Sequence, residues 1–279
     1  MTDFGGKTAV ITGAGSGIGR ALAFVAAARG VNVVLADVNE QDLATVAEEL
    51  RVQGADPLLA PTNVSRWEDV AKLERSAVTR FGKVHLLFNN AGVSAAPRRL
   101  WESSLEDWDW VTGVNQMGVV YGAKAFVPGM LEHGESAHIV NTASIAGLIS
   151  NSRMNAYAVT KHAVVALSET LYLDLQEVGA NIGVSVLCPA WVKTRIHQSQ
   201  RNRPASKREQ SQLDDTSAKT ASAVGDLVEG GLEPAEVAET VFKAIEENTF
   251  YILTHKRFNQ FIEQRLGGIF EGVGPKGSW

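Results

Sequence analysis

Tyr157 and Lys161 stand four residues apart in N-A-Y-A-V-T-K-H-A (155–163). That spacing puts both on one face of a helix, with Cβ atoms roughly 5–6 Å apart. A free phenol titrates at about 10, too high to take a proton efficiently at neutral pH, and a neighbouring ammonium favours the phenolate. The phenol and the ammonium would then be near neighbours. Taken alone, the same spacing is most often an ordinary surface pair, so other parts of the chain must decide.

Residues 12–19 read T-G-A-G-S-G-I-G, where a β-branched run gives way to a helical pattern. Glycines there allow a tight turn and a close approach of bare backbone, and the helix start offers N–H groups and a partial positive charge to a pyrophosphate. Three residues separate the key glycines Gly13 and Gly17, and Gly19 follows. A glycine-rich run can be a mere turn; the strand-turn-helix setting favours a nucleotide. Asp37 ends V-V-L-A-D-V, where a carboxylate can accept hydrogen bonds from the adenosine ribose and would repel a 2′-phosphate. That favours NAD over NADP. Ser16 before Gly17 and Val38 after Asp37 add no basic charge, and Asn39 is available as the next helix cap. Asn63 and Val64 end the third strand and are placed to meet an adenine edge, although a turn asparagine would look the same.

The elements that must position these groups alternate along the chain. T-A-V-I-T (8–12) precedes a helical 17–29, V-N-V-V-L-A (31–36) precedes 39–53, and L-L-A (58–60) precedes 66–80. V-H-L-L-F (84–88), a helical 104–131, H-I-V-N-T (138–142), a helix over 153–178 and I-G-V-S-V-L (182–187) continue the order. A helix over 233–247 with Pro234 near its start leads to a final strand, F-Y-I-L-T (250–254). The alternation predicts an α/β fold: a doubly wound parallel sheet of about seven strands with helices on both faces. No repeat or linker interrupts it, which predicts a single domain over 1–279. Residues 197–222 hold one large apolar residue, Leu213, and read as a loop rather than core. Their basic members Arg201, Arg203, Lys207 and Arg208 could attract an anionic substrate but read rather as a solvated face, and the segment 195–231 reads as a lid over the substrate, with a passive insertion as the alternative.

Composition removes several function classes. The chain has 279 residues, 45% hydrophobic and 20% charged, with a net charge of −5, so a nucleic-acid partner is disfavoured. Cys188 is the only cysteine and the six histidines are scattered, so no disulfide and no metal site is expected. A reducing, cytoplasmic setting fits. The N-terminus does not read as a signal peptide, and no run is long and apolar enough for a membrane span.

Together these motifs resemble the short-chain dehydrogenase/reductase family, from residue 5 to about 254. The matches are T-G-A-G-S-G-I-G (12–19), N-N-A-G (89–92), Asn115 in G-V-N-Q-M-G, Ser144 in N-T-A-S-I-A-G, Y-A-V-T-K (157–161) and C-P-A-W-V-K-T (188–194). The resemblance implies a Rossmann-type oxidoreductase that moves a hydride between NAD(H) and a secondary alcohol or ketone. Tyr157 would be the general acid/base. Lys161 would support it and hold the nicotinamide ribose, Ser144 would hydrogen-bond the reacting oxygen, and Asn115 would anchor a water linking Lys161 to solvent. Read alone, Ser144 is a loop serine and Asn115 a structural helix asparagine.

By the same resemblance Gly13, Ser16, Gly17, Ile18 and Gly19 would meet the pyrophosphate side of the cofactor. Asn90, Ala91 and Gly92 would lie beside the adenosine ribose, and Pro189, Val192 and Thr194 at the nicotinamide end. Ser94, Ile145, Met154 and Trp191 would surround the substrate with Ser144 and Tyr157, though Trp191 reads equally well as a core anchor. Ala190 stands where glycine usually follows the proline, which reshapes the nicotinamide pocket without excluding it. G-V-N-Q-M-G-V-V-Y-G-A-K-A-F-V-P-G-M and N-T-F-Y-I-L-T-H resemble a bacterial subgroup handling bulky aromatic or alicyclic alcohols. The alternatives are an NADP-dependent 3-oxoacyl reductase of lipid synthesis, opposed by Asp37, and a non-catalytic dinucleotide sensor, opposed by the intact Ser144, Tyr157 and Lys161. Apolar residues on the two long helices, including Trp108, Val119, Val120, Phe126, Val165, Leu171 and Leu175, together with the family's habit of pairing these helices, predict a homotetramer.

Overall fold

The computed structural model describes residues 1–203 and 213–277. Within them, β1 Thr8–Thr12, β2 Asn32–Asp37, β3 Leu58–Pro61, β4 Leu86–Asn89, β5 Ala137–Thr142, β6 Ile182–Leu187 and β7 Tyr251–Ile252 form one parallel sheet in the order β3-β2-β1-β4-β5-β6-β7. Strands β1, β4 and β5 are buried from end to end. Their sequences run apolar rather than alternating because a parallel strand covered on both faces has no solvent side.

Helices α1 Gly17–Ala28, α2 Glu40–Val52 and α8 Pro234–Glu247 cover one face, packing Leu22, Leu43, Val241 and Phe242 near Ile11, Leu35 and Phe88. Helices α3 Trp67–Phe81, α5 Gly118–His133 and α6 Asn155–Glu177 cover the other through Leu73, Phe126, Met130 and Leu175. The sheet is doubly wound, as the alternation predicts. Strand order reverses between β1 and β4, and a crevice opens beyond the carboxyl ends of strands at such a reversal. Asn39 caps α2 by accepting from the Asp42 N–H at 3.0 Å, so Asp37 does not serve as the cap.

The expected helix 104–131 is three pieces: α4 Leu105–Thr112, a π-turn over Gly113–Met117, and α5. The final strand shrinks from 250–254 to Tyr251–Ile252. Two helices fall outside the expected pattern: α7 Asp215–Glu229, within the segment read as loop, and α9 Asn259–Glu271 beyond the last strand. Val119, Phe126, Val165 and Leu175, expected to add to an outward apolar face, are buried in the chain's own core, and Leu105, Val159 and Leu173 remain exposed. No helix among the described residues is long and apolar enough to cross a membrane.

Candidate active site

Except for Gly19 and Asn115, the expected site residues line one cleft of about 750 Å³ along the carboxyl rim of the sheet. At its nucleotide end the chain leaves β1 and turns through Gly13 and Gly17, with φ of 68° and 54°. A Cβ at Gly13 would come within 2.9 Å of the Ala91 Cα, and one at Gly17 within 2.9 Å of Thr194 Cγ2. Both positions require glycine twice over, for conformation and for space. Gly19 lies outside the cleft lining and seats α1 against the Gly13 carbonyl. Ser16 precedes α1 but makes no side-chain cap bond, which leaves first-turn N–H groups of α1 without a serine cap beside the cleft. Asp37 accepts from the Gly15 N–H at 3.0 Å and the Asn39 N–H at 3.0 Å. Its carboxylate is thereby held at the rim beside the glycine turn, where a ribose would lie.

Asn90 is a staple as much as a wall. Its main-chain N–H donates to Thr12 Oγ1 at 2.9 Å, its Nδ2 to the Thr12 carbonyl at 2.9 Å, and its Oδ1 accepts from Thr142 Oγ1 at 3.3 Å. These bonds tie the ends of β1, β4 and β5 together. Asn63 lines the cleft with Val64, yet its Oδ1 is taken by Ser65 N and Oγ at 3.1 and 2.7 Å. An uncapped helix start, a carboxylate at the ribose end and two left-handed glycines fit a dinucleotide.

At the other end Ser144 follows β5, Tyr157 lies in the first turn of α6, and Lys161 lies one turn further on. Burial pushes the Tyr157 phenol above its ordinary value, partly offset by a hydrogen bond with Ser144. Burial likewise pulls the Lys161 ammonium down to about 8. Lys161 Nζ donates to the Thr142 carbonyl at 2.8 Å and lies 5.7 Å from the centre of the Tyr157 ring. An ammonium has three N–H donors, so this bond uses one of three. A Cβ at Gly92 would sit 3.4 Å from that Nζ. Bare backbone there leaves the lysine accessible from the cleft.

Asn115 is buried behind this wall rather than in it. Its Oδ1 accepts from the Val93 N–H at 2.8 Å, and its Nδ2 donates to the Val93 carbonyl at 3.0 Å and to Thr160 Oγ1 at 3.2 Å. The side chain is therefore engaged in bracing the segment after β4 against α6. The π-turn around Asn115 displaces the usual helical bonding register by one residue, a feature frequent at functional sites.

Ser94, Ile145, Met154 and Trp191 line the substrate end with Pro189, Val192 and Thr194. Trp191 also packs against the apolar cluster of Ile145, Ile149 and Phe258. Sequence reasoning missed Ala221, Val224 and Val228, which α7 adds to this wall. The available signal was Asp214, an N-cap accepting from the Ser217 N–H at 2.9 Å, followed by small and branched residues at helical spacing. Leu213 lines the cleft too.

Among the described residues of 195–231, Val228 is buried, and charged side chains tie the stretch down at two further points. Arg203 is paired with Asp107 of α4, both side chains 1% exposed, and stacks 5.1 Å from the Trp110 ring centre. That corrects the reading of Arg203 as solvated: a guanidinium is buried here because a carboxylate is buried with it. Lys207 and Arg208 lie outside the described residues. Farther on, Arg153 donates to Ser217 Oγ at 2.6 Å and to Asp214 at 3.3 Å, joining α7 to the turn before Tyr157. Among the described residues no group of three or more histidine, cysteine or acidic side chains is arranged to hold a metal.

A dinucleotide-shaped crevice at the switch of a doubly wound sheet, with a tyrosine, lysine and serine at its far end, defines an oxidoreductase of the nicotinamide-dependent class. Residues 7–205 match the family model for short chain dehydrogenases, and the chain belongs to that family. A short chain dehydrogenase/reductase from Burkholderia phymatum, solved in complex with NAD, shares 47% identity and superposes with a TM-score of 0.97 over 100% of this chain and 99% of that one. A CLA biosynthesis dehydrogenase/reductase of Lactiplantibacillus plantarum is 34% identical over 99% of this chain and 97% of its own. A cyclohexanol dehydrogenase of Acinetobacter sp. (strain SE19) is 38% identical over 69% of this chain and 76% of its own.

Proposed function

We propose that this chain transfers a hydride between NAD(H) and a bulky, hydrophobic secondary alcohol or its ketone, with Tyr157 as general acid/base. The observation that carries the reading is the convergence of Ser144, Tyr157 and Lys161 on a cleft whose other end holds Asp37 and the uncapped start of α1. When bound, the nicotinamide takes up or gives the hydride and, oxidised, adds a positive charge. In oxidation Tyr157 accepts the hydroxyl proton; in reduction it returns one to the carbonyl oxygen. Ser144 Oγ donates to the Pro189 carbonyl at a long 3.3 Å, so it can turn to the reacting oxygen as charge develops there. Lys161, charged at neutral pH, stands beside the phenol and favours its ionised form.

The apolar wall of Ile145, Met154, Trp191 and Val224 suits a bulky substrate, and the relative named for cyclohexanol supports the same class. A panel of aryl alkyl carbinols, alicyclic alcohols, steroids, diols and sugar alcohols, followed by NADH absorbance, tests the reading. Turnover confined to sugar alcohols and diols would refute the substrate class.

NAD is the cofactor in this reading, because the Asp37 carboxylate repels a 2′-phosphate. Asp37→Ala is expected to narrow the kcat/KM ratio of NAD to NADP by about tenfold, the scale of one close charge contact. A parent enzyme that prefers NADP would instead favour the 3-oxoacyl reductase alternative. The active form in this reading is a homotetramer, with Leu105 of α4 and Val159 and Leu173 of α6 covered by partner subunits. Light scattering should report a particle near four times the chain mass of 29.9 kDa; a monomer at micromolar concentration refutes it.

A further inference from the structure

Arg201 enters the nucleotide end of the cleft, and the reaction as described gives it no task. It sits on a tight helical turn, Ile196–Asn202, at the start of the stretch read as a lid. Its Nη1 donates to the Arg195 carbonyl at 2.8 Å and to the Gln198 carbonyl at 3.4 Å, and its Nη2 approaches Ser16 Oγ at 3.4 Å. Its Nε is buried without a hydrogen-bond partner among the described residues. The nearby carboxylates are engaged elsewhere: Asp42 pairs with Arg195 at 2.7 Å, and Asp37 holds the Gly15 and Asn39 N–H groups.

The hydrogen bonds of this cation thus go to neutral oxygens, Asp42 and Asp37 act on its charge without pairing with it, and its buried Nε–H is unmet among the described residues. A buried donor left unmet is costly, and a guanidinium fork is shaped for two oxygens of one phosphate. Ser16, which it approaches, immediately precedes α1 and leaves that helix start without a side-chain cap. Two donor sets, one from α1 and one from Arg201, face the same space.

We infer that Arg201 is a phosphate ligand: it pairs with the pyrophosphate of the dinucleotide, opposite the N-terminus of α1. The inference rests on the dinucleotide reading of the cleft. A 2′-phosphate offers the same chemistry, but Asp37 stands against it, so the pyrophosphate is the assigned partner.

Arg201→Gln in the full chain tests it, with binding of NADH, NADPH and ADP followed by fluorescence and calorimetry without substrate. The Kd values for NADH and ADP should each rise about tenfold, with NADPH raised by a similar factor, and the losses should shrink at high salt. A parent-like Kd for NADH overturns the assignment. A loss confined to NADPH also overturns it, by moving the guanidinium to the 2′-phosphate. Should Arg201→Gln melt more than about 5 °C below the parent, Arg201→Lys carries the test: an ammonium lacks the fork, so the NADH Kd still rises about threefold, and an unchanged Kd overturns the assignment. A parent that binds none of the three ligands refutes the dinucleotide reading itself, a result separable from the others.

Discussion

Tyr157→Phe should lower kcat by roughly 10²–10⁴-fold while leaving the Kd for NADH within about twofold of the parent. The substitution removes one oxygen and keeps the ring. Burial already pushes the phenol up, so the free protein holds it protonated and the hydroxyl contributes no charge to the fold. Melting without cofactor should therefore stay close to the parent. Single-turnover kinetics with saturating NADH and ketone separates the proton step from binding; turnover within about threefold of the parent would end the assignment of Tyr157 as acid/base.

Lys161→Met carries an effect of opposite sign on two observables. Activity should fall by roughly 10²-fold or more, through loss of the charge beside the phenol and of the ribose contact. Stability without cofactor should rise at pH 7. The ammonium titrates at about 8 in the fold against an ordinary 10.5. Below the folded value both states are charged and the fold bears the full burial penalty, on the order of 3 kcal/mol. Between about 8 and 10.5 the unfolded chain still binds a proton that the folded chain has shed, so the parent gains stability as pH rises through that window. Losing the bond to the Thr142 carbonyl takes back about 1 kcal/mol. Urea melts at pH 7 should show the variant ahead of the parent by on the order of 2 kcal/mol, with the gap closing above pH 8. A variant less stable than the parent at pH 7 would mean that the ammonium is not penalised by its burial.

Much of this molecule is legible in its sequence because parallel α/β folds write their layers as alternating runs. Val10, Leu87 and Ile139 are buried because strands covered on both faces admit only apolar residues, and such runs stand out. The glycine turn and Asp37 are equally plain, since only glycine fits beside Ala91 and Thr194. What escapes is what polar side chains organise. Helix α7 has a weak apolar stripe and is seated by Arg153, Asp214 and Ser217, which read as loop composition. Arg203 reads as solvated until Asp107, almost a hundred positions earlier, is found beside it; pairing across such a distance leaves no trace in local spacing. Asn115 is noticeable as an amide in an apolar run, but its commitment to Val93 and Thr160 depends on a π-turn that no periodicity announces.

Arg153 and Asn155, just ahead of Tyr157, adopt φ of 65° and 28°, a region that costs a non-glycine residue about 1–2 kcal/mol. Arg153 is held there by Ser217 and Asp214 of α7. The free energy that seats α7 and the free energy that sets the turn before the tyrosine are therefore shared. In the proposed reading, an alcohol long enough to reach Val224 and Val228, which line the cleft, would contribute to both, and a short one would not. Selection between them is then expected to fall on turnover rather than affinity, so alcohols of rising length should raise kcat at nearly constant KM.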